Sequence, residues 1–228
     1  MCGGSSICSS GVEGAVGKKG GALRAAVVGW ERLEGRRFPW REGRTPYRVL
    51  VSELLLKRTT STAAVRVFGE FVGRYPDIWS LAAADRGGLE AIFSKIGLQR
   101  QRAHAALAMA RHIREVHGGR VPDDYRALLR VPGVGDYTAS AVLSFGYGIP
   151  VATVDSNVVR VLGRVFRQSL GSRATLGNVR KIAQSIVPRE GHELYNYGMI
   201  DLGALVCRYG RPRCARCPVT HLCELTTG

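Results

Sequence analysis

Four cysteines near the end of the chain form its densest group of thiols. They are Cys207, Cys214, Cys217 and Cys223, spaced C-x6-C-x2-C-x5-C within 17 residues. The first residues lack the basic start and apolar stretch of a secretory signal, which argues against disulfides. Zinc usually takes two close pairs of ligands, whereas this stretch has one close pair, two single cysteines and His221 as a further candidate ligand. Four thiolates also suit a [4Fe–4S] cluster, so the residues alone favour a metal centre and leave the metal open.

The charge of the chain favours a polyanionic partner. Lys and Arg number 33 against 18 Asp and Glu, which gives a formal net charge of +15 and a pI of about 10.2. This balance favours nucleic acid through release of counterions. A basic surface that binds nothing in particular is the alternative. The basic residues are spread along the chain and no apolar run reaches 18 residues, so we expect no membrane span.

The stretch VPGVGDYTASAV, residues 131–142, is typical of a tight turn between two helices, the second predicted over Tyr137 to Phe145. Gly133 and Gly135 have no Cβ atom, so they permit positive φ and let a phosphate approach the backbone. Free N–H groups of the turn and of the following helix would bind that anion. A Pro-Gly turn between packed helices is also common without any ligand. In a strongly basic chain, we interpret this turn as a contact with the DNA backbone.

Helices must position these residues, because from Ala22 onward apolar side chains recur three and four apart with few alternating stretches. The pattern predicts an all-α fold. Thr45 can cap a helix that begins at Pro46, and further helices are predicted over about 61–74 and 98–117. Asp123 and Asp124 are expected to start another helix, the first of the hairpin.

The predicted organisation is a tail followed by two lobes. Residues 1–21 are rich in Gly and Ser and are expected to be disordered. One helical lobe, residues 46–149, contains the hairpin. The terminal lobe combines residues 22–45 with residues 150–228 and contains the cysteines.

Several segments resemble the base-excision DNA glycosylases of the endonuclease III superfamily. LLRVPGVGDYTASAV is similar to their helix-hairpin-helix, and VATVDSNVVRVLGRVF to the segment that carries their catalytic aspartate. FPWREGRTPYRVLVSELLLKRTT is similar to the start of the adenine glycosylases called MutY and of the thymine mismatch glycosylases called Mig. IGLQRQRAHAALAMA and YNYGMIDLGALVC continue the match. The resemblance implies a two-lobed helix-hairpin-helix glycosylase fold, closest to the Mig type, whose C-terminal loop holds a [4Fe–4S] cluster on the four cysteines.

Asp155 is the catalytic residue that this resemblance implies. By its sequence alone it is an N-cap, because the apolar spacing that follows predicts a helix. In the family, this carboxylate stabilises the positive charge that develops on deoxyribose as a flipped base leaves. The two roles are compatible, since an ionised carboxylate is favoured at a helix N-terminus.

Tyr137 and Glu53 complete the implied catalytic set. Bifunctional members carry lysine at the position of Tyr137 and attack the sugar through a Schiff base, which a phenol cannot form. MutY enzymes carry serine there and Mig enzymes tyrosine, so Tyr137 implies a monofunctional enzyme; a tyrosine that only packs is the alternative. Glu53 aligns with the glutamate that protonates or positions the target base in MutY, although its sequence alone suggests a solvent-facing helical residue.

Several residues are predicted to contact DNA. Lys57 and Arg58 replace the paired glutamines of MutY and would fill the gap left by a flipped base or contact the orphaned guanine, with phosphate contact as the alternative. Gln99, Arg100 and Arg102 lie at another expected DNA-facing loop, where ordinary surface charge is the alternative. The hairpin residues of the predicted DNA-binding set are Gly133, Val134, Gly135, Tyr137 and Thr138.

The resemblance implies a glycosylase that hydrolyses the N-glycosidic bond of thymine or uracil mispaired with guanine. Removal of adenine opposite oxidised guanine is an alternative, against which stand Tyr137 and the end of the chain five residues after Cys223. A bifunctional glycosylase/lyase and a non-catalytic DNA-binding module are further alternatives. We expect double-stranded DNA with a mismatched or damaged base as partner, a monomer, and a cytoplasmic, nucleoid-associated location.

Overall fold

The computed structural model describes residues 7–171 and 175–226, and this part of the chain contains helices and no strands. The predicted all-α fold is therefore confirmed. None of these helices is both long and apolar enough to cross a bilayer. The α-helices are α1 (Ile7–Glu34), α2 (Pro46–Leu56), α3 (Ser61–Arg74), α4 (Ile78–Ala82), α5 (Arg86–Phe93), α6 (Gln99–His117), α7 (Tyr125–Arg130), α8 (Asp136–Ala141), α9 (Ser156–Val165), α10 (Arg167–Leu170), α11 (Leu176–Ile186) and α12 (His192–Leu205). Short 3-10 turns span Pro39–Arg41, Ser94–Ile96, Cys214–Arg216 and Thr220–Leu222.

The prediction of a disordered tail over residues 1–21 is wrong for residues 7–21, which belong to α1. Residues 1–6 lie outside the described residues. The glycines that suggested disorder include Gly20, where an added Cβ would lie 2.4 Å from Cγ2 of Ile186. Glycine thus allows α1 to approach α11 closely, and the packing gained there offsets its weak helix propensity.

The chain divides into two compact units, which we call the terminal unit (residues 1–36 and 150–228) and the hairpin unit (residues 37–149). The first break follows Arg36, rather than residue 45 as the sequence suggested. The reason is Trp40, which is buried in the hairpin unit with its ring against the edge of Phe68, at 5.6 Å between centroids.

In the terminal unit, α12 packs against α1 and against α9. Gly198 lets α12 approach α1, since a Cβ there would lie 2.6 Å from Cγ1 of Val27. This packing fixes the N-terminus of α9 and the chain that follows α12. The fully buried core side chains include Leu23, Val27, Leu162, Phe166, Val179 and Leu202.

In the hairpin unit, α4 and α5 pack on α6, and α2 packs on α3. The core is aromatic, with Phe71 against Phe93 at 5.5 Å between ring centroids and against Tyr75 at the same separation. Tyr47 is buried beneath them and donates its hydroxyl to the Tyr75 carbonyl at 2.5 Å. These contacts hold α2 and α6 in fixed positions, and both helices carry predicted site residues.

The predicted helix starts are confirmed at two caps. The Thr45 hydroxyl accepts from Arg48 N at 3.2 Å, and the Asp124 carboxylate accepts from Ala127 N at 2.8 Å. The second hairpin helix differs from its prediction, because it is α-helical only over Asp136–Ala141 and continues as a π-helical turn over Val142–Gly146. Gly146 ends that turn against the start of α2, where a Cβ would lie 2.7 Å from Cα of Pro46.

Candidate functional site

The turn between α7 and α8 has positive φ at one of its two glycines. Gly133 adopts φ +79°, a conformation that favours glycine, and Gly135 is the extended N-cap of α8. Val134 is buried and its N–H donates to Val131 O at 3.0 Å. The glycine backbones on either side of Val134 are exposed and accessible to a phosphate.

A hydrogen bond ties the two hairpin helices together beside this turn. Tyr125 at the start of α7 donates its hydroxyl to the carboxylate of Asp136 at 2.7 Å. Because Asp136 lies in the first turn of α8, this bond fixes the entry of the second helix relative to the first. Tyr137 follows it, half-buried in the same turn.

A narrow pocket in the hairpin unit gathers five predicted site residues from α2, the segment after it, the hairpin turn and α8. Leu50, Leu54, Ala105, Met109 and Pro132 supply its other walls. The predicted site residues among its lining are Glu53, Lys57, Gly133, Val134 and Thr138. Tyr137 is not among the lining residues. The Lys57 ammonium donates a short hydrogen bond to the Gly133 carbonyl, so it connects the end of α2 to the hairpin turn.

Arg102, predicted to face DNA, is instead one of the most buried polar residues, at 5% exposure. Its guanidinium donates to Leu54 O at 2.9 Å, Leu55 O at 3.3 Å and Lys57 O at 2.6 Å. The DNA-contact prediction for Arg102 is therefore wrong. Burial lowers the pKa of this guanidinium from its usual value.

The sequence contains a signal that would have placed Arg102 correctly. Arg102, Ala106, Met109 and Ile113 are spaced four, three and four residues apart, so they share one face of α6, and all four are buried. Gln99 and Arg100 are exposed in the first turn of the same helix, as a DNA-contacting role requires.

Asp155 is the N-cap of α9 in the terminal unit, as its sequence predicted. One carboxylate oxygen accepts from Val158 N at 2.8 Å and the other from the side-chain amide of Asn157 at 2.8 Å. Hydrogen bonds to a carboxylate are stronger than those between neutral groups, so both oxygens are fixed in direction.

A chain of hydrogen bonds that the sequence did not predict connects Asp155 to the cysteine loop. The carbonyl oxygen of the Asn157 amide accepts from Arg160 at 2.7 Å. The same guanidinium donates to Gly203 O at 2.8 Å and to Cys207 O at 2.6 Å. Gly203 is essential to this arrangement because a Cβ there would lie 2.5 Å from Cβ of Asn157. The only sequence signal was the register of α9, which places Arg160 beside Asn157 one turn away.

All four C-terminal cysteines line one cavity of the terminal unit, together with Val206, Pro212 and Leu225. Arg164 donates to the Cys207 sulfur at 3.2 Å. Burial, and then the neighbouring Cys207 and Cys223, raise the pKa of the Cys217 thiol. No three His, Cys, Asp or Glu side chains in the described ranges lie close enough together to hold a single metal ion. His221 is exposed and does not line the cavity.

Comparison with known proteins places these features in a family. Residues 51–189 match the model of the HhH-GPD superfamily base excision DNA repair proteins. A thymine-DNA glycosylase of Aeropyrum pernix is 36% identical over 207 residues, which cover 89% of this chain and 93% of the relative. A thymine/uracil-DNA glycosylase of Methanothermobacter thermautotrophicus is 32% identical over 217 residues, covering 93% and 97% of the two chains. The solved structure of a thermostable thymine-DNA glycosylase superposes with a TM-score of 0.87 at 31% identity, covering 92% of this chain and 97% of that one.

Proposed function

Because the chain belongs to the HhH-GPD superfamily of base excision DNA repair proteins and is a DNA glycosylase, we propose that it removes thymine or uracil mispaired with guanine by hydrolysing the N-glycosidic bond. The observation that carries the choice of base is the likeness to thymine-DNA and thymine/uracil-DNA glycosylases along almost the whole of each chain. Double-stranded DNA containing the mismatch is the partner.

Asp155 stabilises the positive charge that develops on the deoxyribose as the base leaves. The two hydrogen bonds to its oxygens support this role, because they fix the carboxylate. Both donors are neutral groups, so neither cancels the negative charge. A fixed negative charge needs no reorganisation when the sugar becomes cationic. Water then attacks the anomeric carbon.

Glu53 hydrogen-bonds the leaving base, and Tyr137 borders the reacting sugar without forming a covalent bond. The position of Glu53 in the pocket beside Thr138 and the hairpin turn supports its contact with an extrahelical base. A phenol is a hydrogen-bond donor and does not condense with the sugar aldehyde to an imine. The enzyme is therefore monofunctional and releases an abasic site without cutting the strand.

A panel of duplexes tests this function. Purified protein is incubated with G·T, G·U, A·U and adenine opposite oxidised guanine, and strand breaks are scored with and without alkali. We expect alkali-dependent breaks at G·T and G·U and no adduct trapped by borohydride. Release of adenine alone would overturn the proposed base, and breaks without alkali would overturn the monofunctional assignment.

The four cysteines hold a [4Fe–4S] cluster. What supports this is that Cys207, Cys214, Cys217 and Cys223 line one cavity, whose other walls are apolar, arginine and threonine side chains. A cubane distributes four thiolates over four irons, so it needs cysteines around a space rather than converging on one ion. The cluster would join four points of the C-terminal loop and so hold the chain that follows α12.

Metal and sulfide analysis tests the cofactor. Anaerobically purified protein should contain about four irons and four inorganic sulfides per chain and show a broad visible absorption that bleaches on reduction. Replacement of Cys217 by serine should remove most of both. One zinc per chain without iron would overturn the cluster in favour of a zinc site.

A further inference from the structure

The buried Arg102 side chain makes hydrogen bonds to two separate segments of the hairpin unit. Its guanidinium donates to Lys57 O and to the Thr59 hydroxyl in the segment that follows α2. Its Nε donates to Gly97 O at 2.9 Å in the segment that precedes α6. One side chain thus joins the two segments that carry the predicted DNA-contacting residues Lys57, Arg58, Gln99 and Arg100.

Both segments contain backbone strain at the point where Arg102 binds them. Of the described non-glycine residues, only Arg58 and Leu98 adopt positive φ, at +53° and +57°. Arg58 lies between the two acceptors Lys57 and Thr59, and Leu98 follows the acceptor Gly97. A left-handed conformation is unfavourable for residues with a Cβ and persists only where its surroundings hold it.

The side chains held in this way face solvent. Arg58 is exposed and Leu98 is 40% exposed. Arg102 itself, at 5% exposure, cannot contact a duplex. The two strained residues are therefore at the surface, whereas the arginine that binds the segments around them is buried.

Arg102 also binds the C-terminal end of α2. Leu54 O and Leu55 O lie in the last turn of that helix, where carbonyl groups have no intrahelical partner. A cation at this end is favoured by the helix dipole. Because α2 also carries Glu53, the guanidinium that binds the last turn of α2 also fixes the position of that end of the helix relative to the pocket.

We propose that Arg102 is a positioning residue that holds segments 57–59 and 97–98 in one fixed arrangement, in which Arg58 and Leu98 enter a mismatched duplex together. The inference rests on the proposed function, and it adds the device that couples the two DNA-contacting segments. A matched duplex leaves no opening for these side chains. Loss of Arg102 should therefore weaken binding to the mismatch more than binding to intact DNA.

The test compares Arg102→Gln and Arg102→Lys with Arg111→Gln, which alters an exposed arginine two and a half turns further along α6 and on its opposite side. Dissociation constants are measured for a G·T duplex, whose thymidine carries a 2′-fluoro group that blocks cleavage, and for the matched duplex. We expect Arg102→Gln to lower the preference for the mismatch about tenfold, since it removes several buried hydrogen bonds. Arg102→Lys keeps the positive charge but has fewer hydrogen-bond donors, so it should recover part of that preference. Arg111→Gln should retain all of it.

Reduced stability alone cannot imitate this result, because a smaller folded fraction lowers both affinities equally and leaves their ratio unchanged. Thr59→Val provides a second variant if Arg102→Gln does not fold, since it removes one acceptor from the exposed segment and keeps the guanidinium. A preference within twofold of wild type in Arg102→Gln, or in Thr59→Val if Arg102→Gln does not fold, would overturn the proposal. Wild-type protein that releases no base from G·T or G·U would instead overturn the proposed function.

Discussion

The two units each use an arginine to bind carbonyl groups at the end of a helix, and the two arginines differ in what they fix. Arg160 donates to Gly203 O in the last turn of α12 and to Cys207 O beyond it. Arg102 donates to Leu54 O and Leu55 O in the last turn of α2. Both thus satisfy acceptors that a helix leaves without partners.

In the terminal unit, Arg160 is connected by hydrogen bonds to one charged group, the carboxylate of Asp155. Arg160 binds Asn157, and Asn157 binds a carboxylate oxygen of Asp155. In the hairpin unit, Arg102 donates to the backbone of two exposed segments that are strained at Arg58 and Leu98. The difference indicates separate tasks: the terminal unit fixes the direction of a charge, and the hairpin unit fixes the shape of a surface. Variants in the first should change the rate of base release, and variants in the second should change the discrimination between duplexes.

The largest expected effect is that of Asp155→Asn. Asparagine caps a helix as well as aspartate does, so α9 should remain intact while the negative charge disappears. Base release from a G·U duplex in a single turnover should slow by about a hundredfold or more. Affinity for the uncleaved duplex should stay within about threefold, which separates the chemistry from binding. A rate within tenfold of wild type would exclude Asp155 as the stabilising charge.

Asn157→Ala should have the next largest effect, because it removes one of the two donors to the carboxylate and the acceptor of Arg160. A hydrogen bond to a charged group contributes about 1.5–3 kcal/mol, so we expect base release to slow by roughly tenfold to a hundredfold. Arg160→Met should slow release less, since Asn157 remains present. If Asn157→Ala changed duplex discrimination and left the rate intact, the two units would not differ as described.

Tyr137→Lys should change the outcome of the reaction more than its rate. An amine at this position of the hairpin can condense with the sugar to an imine, whereas the phenol cannot. Borohydride should therefore trap a protein–DNA adduct with the variant and none with wild type, as seen by a shifted band on a denaturing gel. Absence of any adduct with a variant that still releases base would show that residue 137 lies away from the sugar.

The sequence predicted those features that depend on local chemistry. Helix starts at Thr45 and Asp124 follow from side chains that accept from the backbone N–H three residues on. The hairpin turn follows from Gly133, whose positive φ is open to few other residues. The N-cap of α9 follows from Asp155 and the apolar register behind it.

Features that depend on contacts between distant segments were missed. The Gly-rich start of α1 suggested disorder, because the sequence does not reveal that Gly20 packs against Ile186. Arg102 suggested a DNA contact by its charge, although its acceptors lie more than 40 residues away at Leu54 and Lys57. The hydrogen-bond path from Asp155 through Arg160 to Cys207 was missed for the same reason. Arg160 and Cys207 are 47 residues apart, so no local sequence pattern indicates their contact.

The smallest effect is expected at Asp77, whose role as a helix cap can be compared with that of Asp155. Asp77 caps α4 in the hairpin unit, accepting from Ser80 N at 2.8 Å, and this hydrogen bond lowers the pKa of the exposed carboxyl. A lowered pKa stabilises the folded state above the unfolded value, about pH 3.9, and this contribution is lost as pH falls through the folded pKa. Because solvent screens the charge, Asp77→Asn should lower the free energy of unfolding by less than about 1 kcal/mol at pH 7, measured in urea, and flatten its decline in acid. Base release should stay unchanged. A loss of rate comparable to that of Asp155→Asn would mean that loss of any capping carboxylate impairs the enzyme, and Asp155 would then owe its effect to its helix rather than to a charge beside the sugar.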